Sequence, residues 1–482
     1  MKLKYYILTI STLMLAASCE KYTDITPKGV SMLENTTELE MLLNCEYYGD
    51  ESSDTKNLVQ GCIYAYSNIP NTINQAQLSR SAIIFSRDET KMDRYAELTP
   101  SDNEYNAWFN YVGKIANPII QKVDESNGEE RLKKQIKAEA YCMRAWAEFL
   151  AVNKFAKGYN PSTADKDGGV AYLKEDWDIL QPTLKETVAD VYKMCLEDVD
   201  AAINLGSLPA IPVNKCRWGL GAAYALKAYL CANMQQWDEV IKAADQALDV
   251  NKKQANYYSE EYTKITTGYF AGGTYPCVNR PRITCCEDYF TSDGYVMGLV
   301  TNEFAAGLEP GNYVTNRVTS VEMMYDYYMT GADAFGLGMQ GACYVYDFDY
   351  GWNFYGFTVS QMYLLKSEAA IHKNNIDEAM RCLDQVRQYR IDPSVYAPKT
   401  GAVTNATEAM AALKATARAE NVFSYWLFVD QKRWNQVAGW EDTLSTLIGD
   451  KTYTLAPNSK MWIFPFPKNV VNANPNMTQN YE

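Results

Sequence analysis

The sequence predicts a mainly α-helical protein: tetratricopeptide-like helix pairs form a scaffold that carries long loop insertions and a few short strands. Three observations predict it. Residues 226–248 (LKAYLCANMQQWDEVIKAADQAL) and 365–387 (LKSEAAIHKNNIDEAMRCLDQVR) repeat each other without a gap at an offset of 139, which is the mark of a repeated supersecondary unit. Residues 131–155 carry one unbroken amphipathic pattern. The stretches between the helical patterns are too long and too rich in Gly, Tyr and Thr to be turns, and long loops in a compact protein carry function.

The first eighteen residues read as an export signal. Lys2 and Lys4 precede the thirteen mostly apolar residues of YYILTISTLMLAA, a run too short to span a bilayer comfortably. LAASC, ending at Cys19, resembles the lipobox of bacterial lipoproteins, in which that cysteine is acylated and becomes the new N-terminus. Processing would leave one mature domain, 19–482, with a net charge near −16 instead of −14.

Each helix has its own signal. In residues 131–155 Ala138, Tyr141, Ala145, Phe149 and Val152 share one side, and in 187–205 Val188, Val191, Cys195, Val199 and Ile203 recur at matching spacing, so the two are expected to pair. In the repeat, covering helices near 220–250 and 358–390, the small residues Ala228 and Ser367 stand where two antiparallel helices must approach closely. A polar corner follows each, and the second helix turns Val240 and Ala247, or Ala379 and Val386, inward. Trp108, Trp146, Trp218 and Trp426 lie in helical patterns and are expected in the core.

Composition excludes several functions. Acidic residues outnumber basic ones 59 to 45, which argues against nucleic acid or an anionic membrane surface as partner. The single histidine, His372, removes the common ligand of zinc sites and the usual partner of a serine or cysteine nucleophile. It sits at the polar end of a helix, where a solvated side chain is expected. No G-x-S-x-G, phosphate-cradling glycine loop or EF-hand spacing occurs; no cofactor and no metal site is expected, with calcium at an acidic loop left open by the sequence. Asp347 and Asp349 could stand about 7 Å apart on a strand, a spacing that hydrolysis of a glycoside permits without requiring. Eleven cysteines follow Cys19 without framework spacing. Cys142, Cys195, Cys231 and Cys382 read as buried thiols, and the neighbours Cys285 and Cys286 as reduced.

Four places carry a resemblance to a known family: the lipobox at Cys19, WFNYVGKIANPII (108–120), the tetratricopeptide-like helices, and the C-terminal third. In that third, FVDQKRWNQV (428–437) and YTLAPNSKMWIFPFPKNVVNANPNMTQNYE (453–482) resemble the closing motifs of the SusD-like, or RagB-like, lipoproteins of the Bacteroidetes outer membrane. Departures are Asn469 and Val470 at a usually acidic place and VRQYR in place of an arginine–alanine–glycine ending. The resemblance implies four tetratricopeptide-like pairs, a lipid anchor at the cell surface, and a SusC-like TonB-dependent transporter as partner. It also implies capture of oligosaccharides, or of peptides in some branches, with no enzymatic step. It makes Trp434 and Trp462 structural.

The ligand site is sought where aromatic rings meet polar groups, because a pyranose offers a C–H face and a rim of hydroxyls. VYDFDYGWNFYGF (345–357) holds seven rings in thirteen residues. On a strand Tyr346, Phe348, Tyr350, Trp352 and Phe354 would share one face, with Asp347, Asp349 and Asn353 on the other. That aromatic face either packs on the helix beginning near Thr358 or stays partly open. Trp352 and Tyr350, flanking Gly351, are the favoured stacking residues, with Tyr346 and Asn353 beside them. Further candidates are Tyr275, Tyr289 and Tyr295 in the insertion, and Asp93, Arg94 and Tyr95 in the charged stretch SRDETKMDRYAEL (86–98), read as a polar loop. A glycan-capturing surface lipoprotein is the leading reading, with a peptide- or protein-binding tetratricopeptide module and a glycan-cleaving enzyme as alternatives.

Overall fold

A computed structural model describes residues 33–45, 54–60, 79–101, 103–178, 180–259, 265–267, 274–276, 285–294, 298–301, 304, 306–314, 342–345, 352–422, 424–448 and 451–482. The leader and Cys19 lie outside them. The helices of the first half are α1 (Thr36–Leu42), α2 (Asp54–Gln60), α3 (Arg80–Ser86), α4 (Met92–Glu97), α5 (Asn103–Tyr111), α6 (Asn117–Lys122), α7 (Glu130–Phe155), α8 (Val188–Asn204), α9 (Leu220–Asn233) and α10 (Trp237–Val250). Short strands follow: β1 (Ile265–Thr267), β2 (Thr274–Pro276), β3 (Asp288–Phe290), β4 (Asp293–Gly294), β5 (Gly298–Thr301), β6 (Ala342–Val345), β7 (Trp352–Asn353) and β8 (Phe357–Thr358). The chain closes with α11 (Val359–His372), α12 (Ile376–Arg387), α13 (Ala406–Glu420), α14 (Tyr425–Trp434), the hairpin β9 (Leu444–Ile448) and β10 (Lys451–Leu455), and α15 (Lys468–Ala473). The fold is mostly helical, as the sequence predicts.

Three antiparallel pairs, α7/α8, α9/α10 and α11/α12, stack in order. The repeat holds at the backbone: α9 and α11, and α10 and α12, begin 139 residues apart. Gln235 and Asn374, at equivalent places in the two corners, both adopt the left-handed conformation, at φ 59° and 57°. Ala228 and Ser367 are fully buried, and the Ser367 hydroxyl donates to the Ala379 carbonyl of the facing helix at 2.9 Å. A larger side chain at either place would force the helices apart, at a cost of about 1–3 kcal/mol. Thr358 caps α11 through a reciprocal capping box with Gln361, which fixes where the insertion ends and the scaffold resumes.

The fourth pair implied by the resemblance takes a different form. α13 packs on α11 and α12, whereas α14 lies against α2. All ten residues of α14 are buried, so it is a strut through the core and not one layer of a solenoid. Its Lys432 ammonium donates to the carbonyls of Asn153, Ala156 and Trp462, joining the C-terminal end of α7 to the closing motif. Burial lowers the proton affinity of that amine, while three acceptors at the negative end of a helix favour its charge. The closing motif is a clamp on the same end. Phe464 N donates to the Lys154 carbonyl, Gln479 pairs with both backbone groups of Phe466, and Asn480 donates to the carbonyls of Phe155 and Gly169.

The six tryptophans expected in the core, Trp108, Trp146, Trp218, Trp426, Trp434 and Trp462, are all buried. So are the thiols of Cys142, Cys195, Cys231 and Cys382, and Cys285 and Cys286 form no disulfide with each other. α7 is enclosed more widely than one amphipathic face. Its Arg144 forms two bonds to Asp198 of α8, at 2.6 and 2.8 Å, and its Glu139 two to Arg217. Such pairs hold register because each charge, once buried, needs its partner.

Candidate functional site

The site is built where the insertion between α10 and α11 leaves the scaffold. β3 pairs with β8, β4 with β7, β5 with β6 and β1 with β2, all antiparallel. Buried side chains of the helices hold the base of this set. Trp218 stacks on Phe290 at 4.6 Å, and the indoles of Trp146 and Trp426 donate to the carbonyls of Tyr355 and Gly356. Gly356 is required here, because a Cβ would lie 2.1 Å from both the Asn353 amide oxygen and the Phe290 carbonyl.

Asn353, expected to face a ligand, is buried instead. Its amide oxygen accepts from the backbone of Ser292 and Gly356, at 3.1 and 2.9 Å, and its amide nitrogen donates to the Phe290 carbonyl at 2.8 Å. All three of these bonds are to backbone groups of the fold, so Asn353 ties β3, β7 and the turn to β8 together. Phe354 and Tyr355 are also buried, so the strand alternation expected through Phe354 stops at Asn353. Tyr289 is enclosed too; its hydroxyl donates to the Asn251 carbonyl, and its ring lies where a Cβ on Gly221 would stand. Burial pushes its phenol well above the usual range.

A second anchor surrounds Arg390, within the VRQYR departure. Its guanidinium is fully buried and meets Glu287 at 2.8 Å, Glu420 at 2.8 and 3.0 Å, and the Ala255 carbonyl at 2.6 Å. It lies 4.5 Å from the Tyr257 ring, which stacks on Tyr313 at 4.3 Å. Burial opposes the Arg390 charge, but the two carboxylates outweigh it and raise its proton affinity. Three parts of the insertion, near residues 255, 287 and 313, are thereby fixed to the scaffold. Cys285, Glu287 and Asp288 bring their ligand atoms within 4.8 Å of one another. Their carboxylates are committed to protein donors, Glu287 to Arg390, Ala255 N and Tyr257, and Asp288 to the Thr291 hydroxyl.

The charged stretch 86–98 is not a polar loop. It is a 3-10 turn, Glu89–Lys91, followed by α4. Arg87 is buried and donates to the carbonyls of Leu58, Leu444 and Tyr453. Tyr95 is buried and its hydroxyl donates to Asp54. Arg94 pairs with Glu97 at 2.7 Å, and exposed Asp93 accepts from the Tyr481 hydroxyl at 3.3 Å. None of the three stands with the insertion strands; the contacts of Asp93 and Tyr95 hold distant chain segments together, and that of Arg94 lies within α4.

Tyr346, Tyr350 and Tyr295 lie outside the described residues, as do Asp347 and Asp349. For Tyr275 and Trp352 the backbone is described: Tyr275 is opposite Thr266, and Trp352 is opposite Gly294. Two half-buried indoles were missed by sequence reasoning. Trp177 meets Phe109 edge-on at 6.1 Å, and Trp237 stacks on His372 at 4.0 Å. His372 is therefore not solvated as expected; Trp440 covers its other face at 4.4 Å. Burial lowers its proton affinity; Glu368 opposes that shift, and Arg433 adds to it. A period-3.6 pattern shows only a residue's own helix, whereas both covering rings come from elsewhere.

Comparison with known proteins bears on the whole chain. A family model described as starch-binding and associating with the outer membrane matches residues 58–231, and the SusD family model matches residues 352–482. A SusD superfamily protein of Bacteroides thetaiotaomicron is similar over 92% of this chain and 99% of its own, at 17% identity and a TM-score of 0.66. A SusD-like carbohydrate binding protein of Bacteroides vulgatus covers 92% and 98%, at 14% identity and a TM-score of 0.57. A SusD superfamily protein of Bacteroides fragilis covers 93% and 100%, at 15% identity and a TM-score of 0.59. At these identities the structural likeness carries the fold. No curated protein matches the chain.

Proposed function

The chain belongs to the SusD-like family, and from that premise we propose that it captures glycans at the cell surface without cleaving them. On this reading Cys19 carries the lipid anchor, and the captured oligosaccharide passes to a SusC-like TonB-dependent transporter in the outer membrane. The aromatic run beginning at Tyr346 supplies the stacking surface, with Trp352, Tyr350 and Tyr346 as its rings and Tyr275 and Tyr295 as neighbours.

The observation that carries this reading is one of register. Gly298 pairs with Val345, and Gly294 with Trp352. Between those two pairs one side of the ribbon has three residues, 295–297, and the other has six, 346–351. One-to-one pairing cannot take up the difference, and surplus residues in a ribbon re-aim side chains away from the ladder. The longer side carries Tyr346, Phe348 and Tyr350. The cross-strand partner of Trp352 is Gly294. By contrast, the rings at the base of the insertion are spent on packing.

Native affinity electrophoresis against a panel of polysaccharides tests the proposal. Retardation without release of reducing ends is expected. Trp352→Ala should weaken retention by about 0.5–1.5 kcal/mol beyond the lost contact area. Retention by no glycan, with peptides bound instead, would favour the tetratricopeptide-module reading. New reducing ends would make the protein an enzyme.

A further inference from the structure

We infer that the loop Pro209–Val213 is a membrane-contacting finger, whose apolar tip rests in the lipid surface to which the chain is tethered and so sets which end of the protein faces the bilayer. The inference rests on the lipid-anchor part of the reading above and adds a second point of contact. LPAIPV (208–213) lies between α8 and α9. Among the described residues six large apolar side chains are exposed, and two of them are Ile211 and Val213, at 87% and 80%. A third, Met41 of α1 at 67%, belongs to the same end of the molecule. Arg217, just beyond the finger, donates to the Asn44 amide oxygen at 3.2 Å and pairs with Glu40 of α1 at 3.5 Å.

The finger is held out, not left loose. Leu208 is buried in the core, and the Pro209 carbonyl accepts from Leu220 N at 2.9 Å. Gly219 lets the loop close on the start of α9, since a Cβ there would lie 2.9 Å from the Pro209 carbonyl and 3.0 Å from the Pro212 ring. On the other side the Asn214 side chain accepts from Cys216 N at 2.9 Å, and the Lys215 carbonyl from Thr291 N at 2.7 Å. Pro209 and Pro212 fix two φ angles in five residues. With both feet bound, the tip keeps Ile211 and Val213 in water, and apolar surface held there gains from leaving it. A loop so fixed also loses little conformational freedom on docking.

The tether selects the occupant. Leu33 lies fourteen residues after Cys19, a reach of at most about 50 Å and about 20 Å as a coil. A compact chain of this length is about 60 Å across, so the end nearest the tether is the one it brings to the bilayer. That end is marked by the chain's entry: Asn127 N donates to the Glu34 carbonyl at 2.8 Å and Thr36 N to the Asn127 carbonyl at 3.0 Å, and α1 follows at once with the finger's foot bonded to it. Tethering raises the effective concentration of lipid to about the millimolar range, so a weak contact suffices. Lys215 and Arg217, the charged residues of 205–217, are engaged by the Asp288 carbonyl and by Glu40, Glu139 and Asn44. The contact is therefore one of apolar burial, which neutral lipid supplies. Leu180 and Leu184 are exposed to a similar degree, at 83% and 67%, but they precede α8, whose 17 residues set them about 25 Å from the finger. They serve as the internal control.

The test compares the full-length mature lipoprotein, its acyl chains confirmed by mass, in phosphatidylcholine vesicles with the soluble protein that begins at residue 20. Hydrogen exchange at Ala210, Ile211 and Val213 should slow about tenfold on tethering, at about 0.01 M and about 1 M salt alike, while residues 180–184 keep their rates. Ile211→Asp combined with Val213→Asp should abolish the slowing at Ala210 with the protection of α9 intact; Leu180→Asp combined with Leu184→Asp should leave it in place. Unchanged finger rates in the acylated protein, slowing at Leu180 and Leu184 instead, or slowing lost at high salt overturns the inference and leaves the anchor standing. Slowing in the soluble protein that grows with its own concentration assigns the tip to a second copy and overturns it too. A mass without acyl chains overturns the inference together with the lipid anchor.

Discussion

Replacing Asn353 by alanine separates two accounts of the same residue. The sequence places Asn353 among ligand contacts; the structure makes it the knot that ties β3, β7 and β8. Alanine leaves the N–H groups of Ser292 and Gly356 and the Phe290 carbonyl without their partner. A buried group so abandoned costs about 1–3 kcal/mol, and a part-exposed one less. Two enclosed groups and one partly enclosed group therefore give about 2–4 kcal/mol. Spread over a chain of this size, at about 2 cal/mol/K of unfolding entropy per residue, that loss lowers Tm by only a few degrees. Hydrogen exchange is the sharper assay, because the Gly356 N–H reports the opening of this turn directly. Its protection should fall by a factor of about 30 or more, while amides in α9 and α10 keep theirs. Asn353→Asp should behave similarly at neutral pH, since a carboxylate accepts from Ser292 and Gly356 but has no proton for Phe290. Unchanged Gly356 protection with abolished glycan retention would refute the structural account and return Asn353 to the ligand-contact list.

Lys432→Met removes the donor shared by three carbonyls and should destabilise the fold by about 3–5 kcal/mol, read by denaturant unfolding; a shift under 1 kcal/mol would show that water replaces the amine at no cost. His372 has a lowered folded pKa, so its contribution is fully present above its unfolded value of about 6.5 and is lost as pH falls through the folded one. Wild-type Tm should therefore drop more steeply than that of His372→Phe as pH falls below about 6.5; parallel curves would sink the argument.

What the sequence discloses and what it hides divide along chain separation. Ala228 and Ser367 were legible because a helix crossing leaves its mark within a single repeat, and the helix start near Thr358 because the pattern changes there. The tryptophans of the core were legible from the same local period. Arg87 and His372 were not. The partners that bury Arg87, Leu444 and Tyr453, lie more than 350 residues further on, and the two rings around His372 belong to other elements. A charged residue in a stretch such as SRDETK has the composition of a solvated loop until a distant carbonyl is brought over it. The same rule explains why a motif can be recognised without its physics. PFPKNVVNANPNMTQNY reads as a family ending, yet its Asn480 works on the carbonyls of residues 155 and 169, more than three hundred positions earlier. Aromatic content alone could not assign the ligand site, because rings that pack and rings that stack on sugars share one composition. The distinction comes from which rings have the scaffold's tryptophans against them, and Phe290, Tyr355 and Phe357 do.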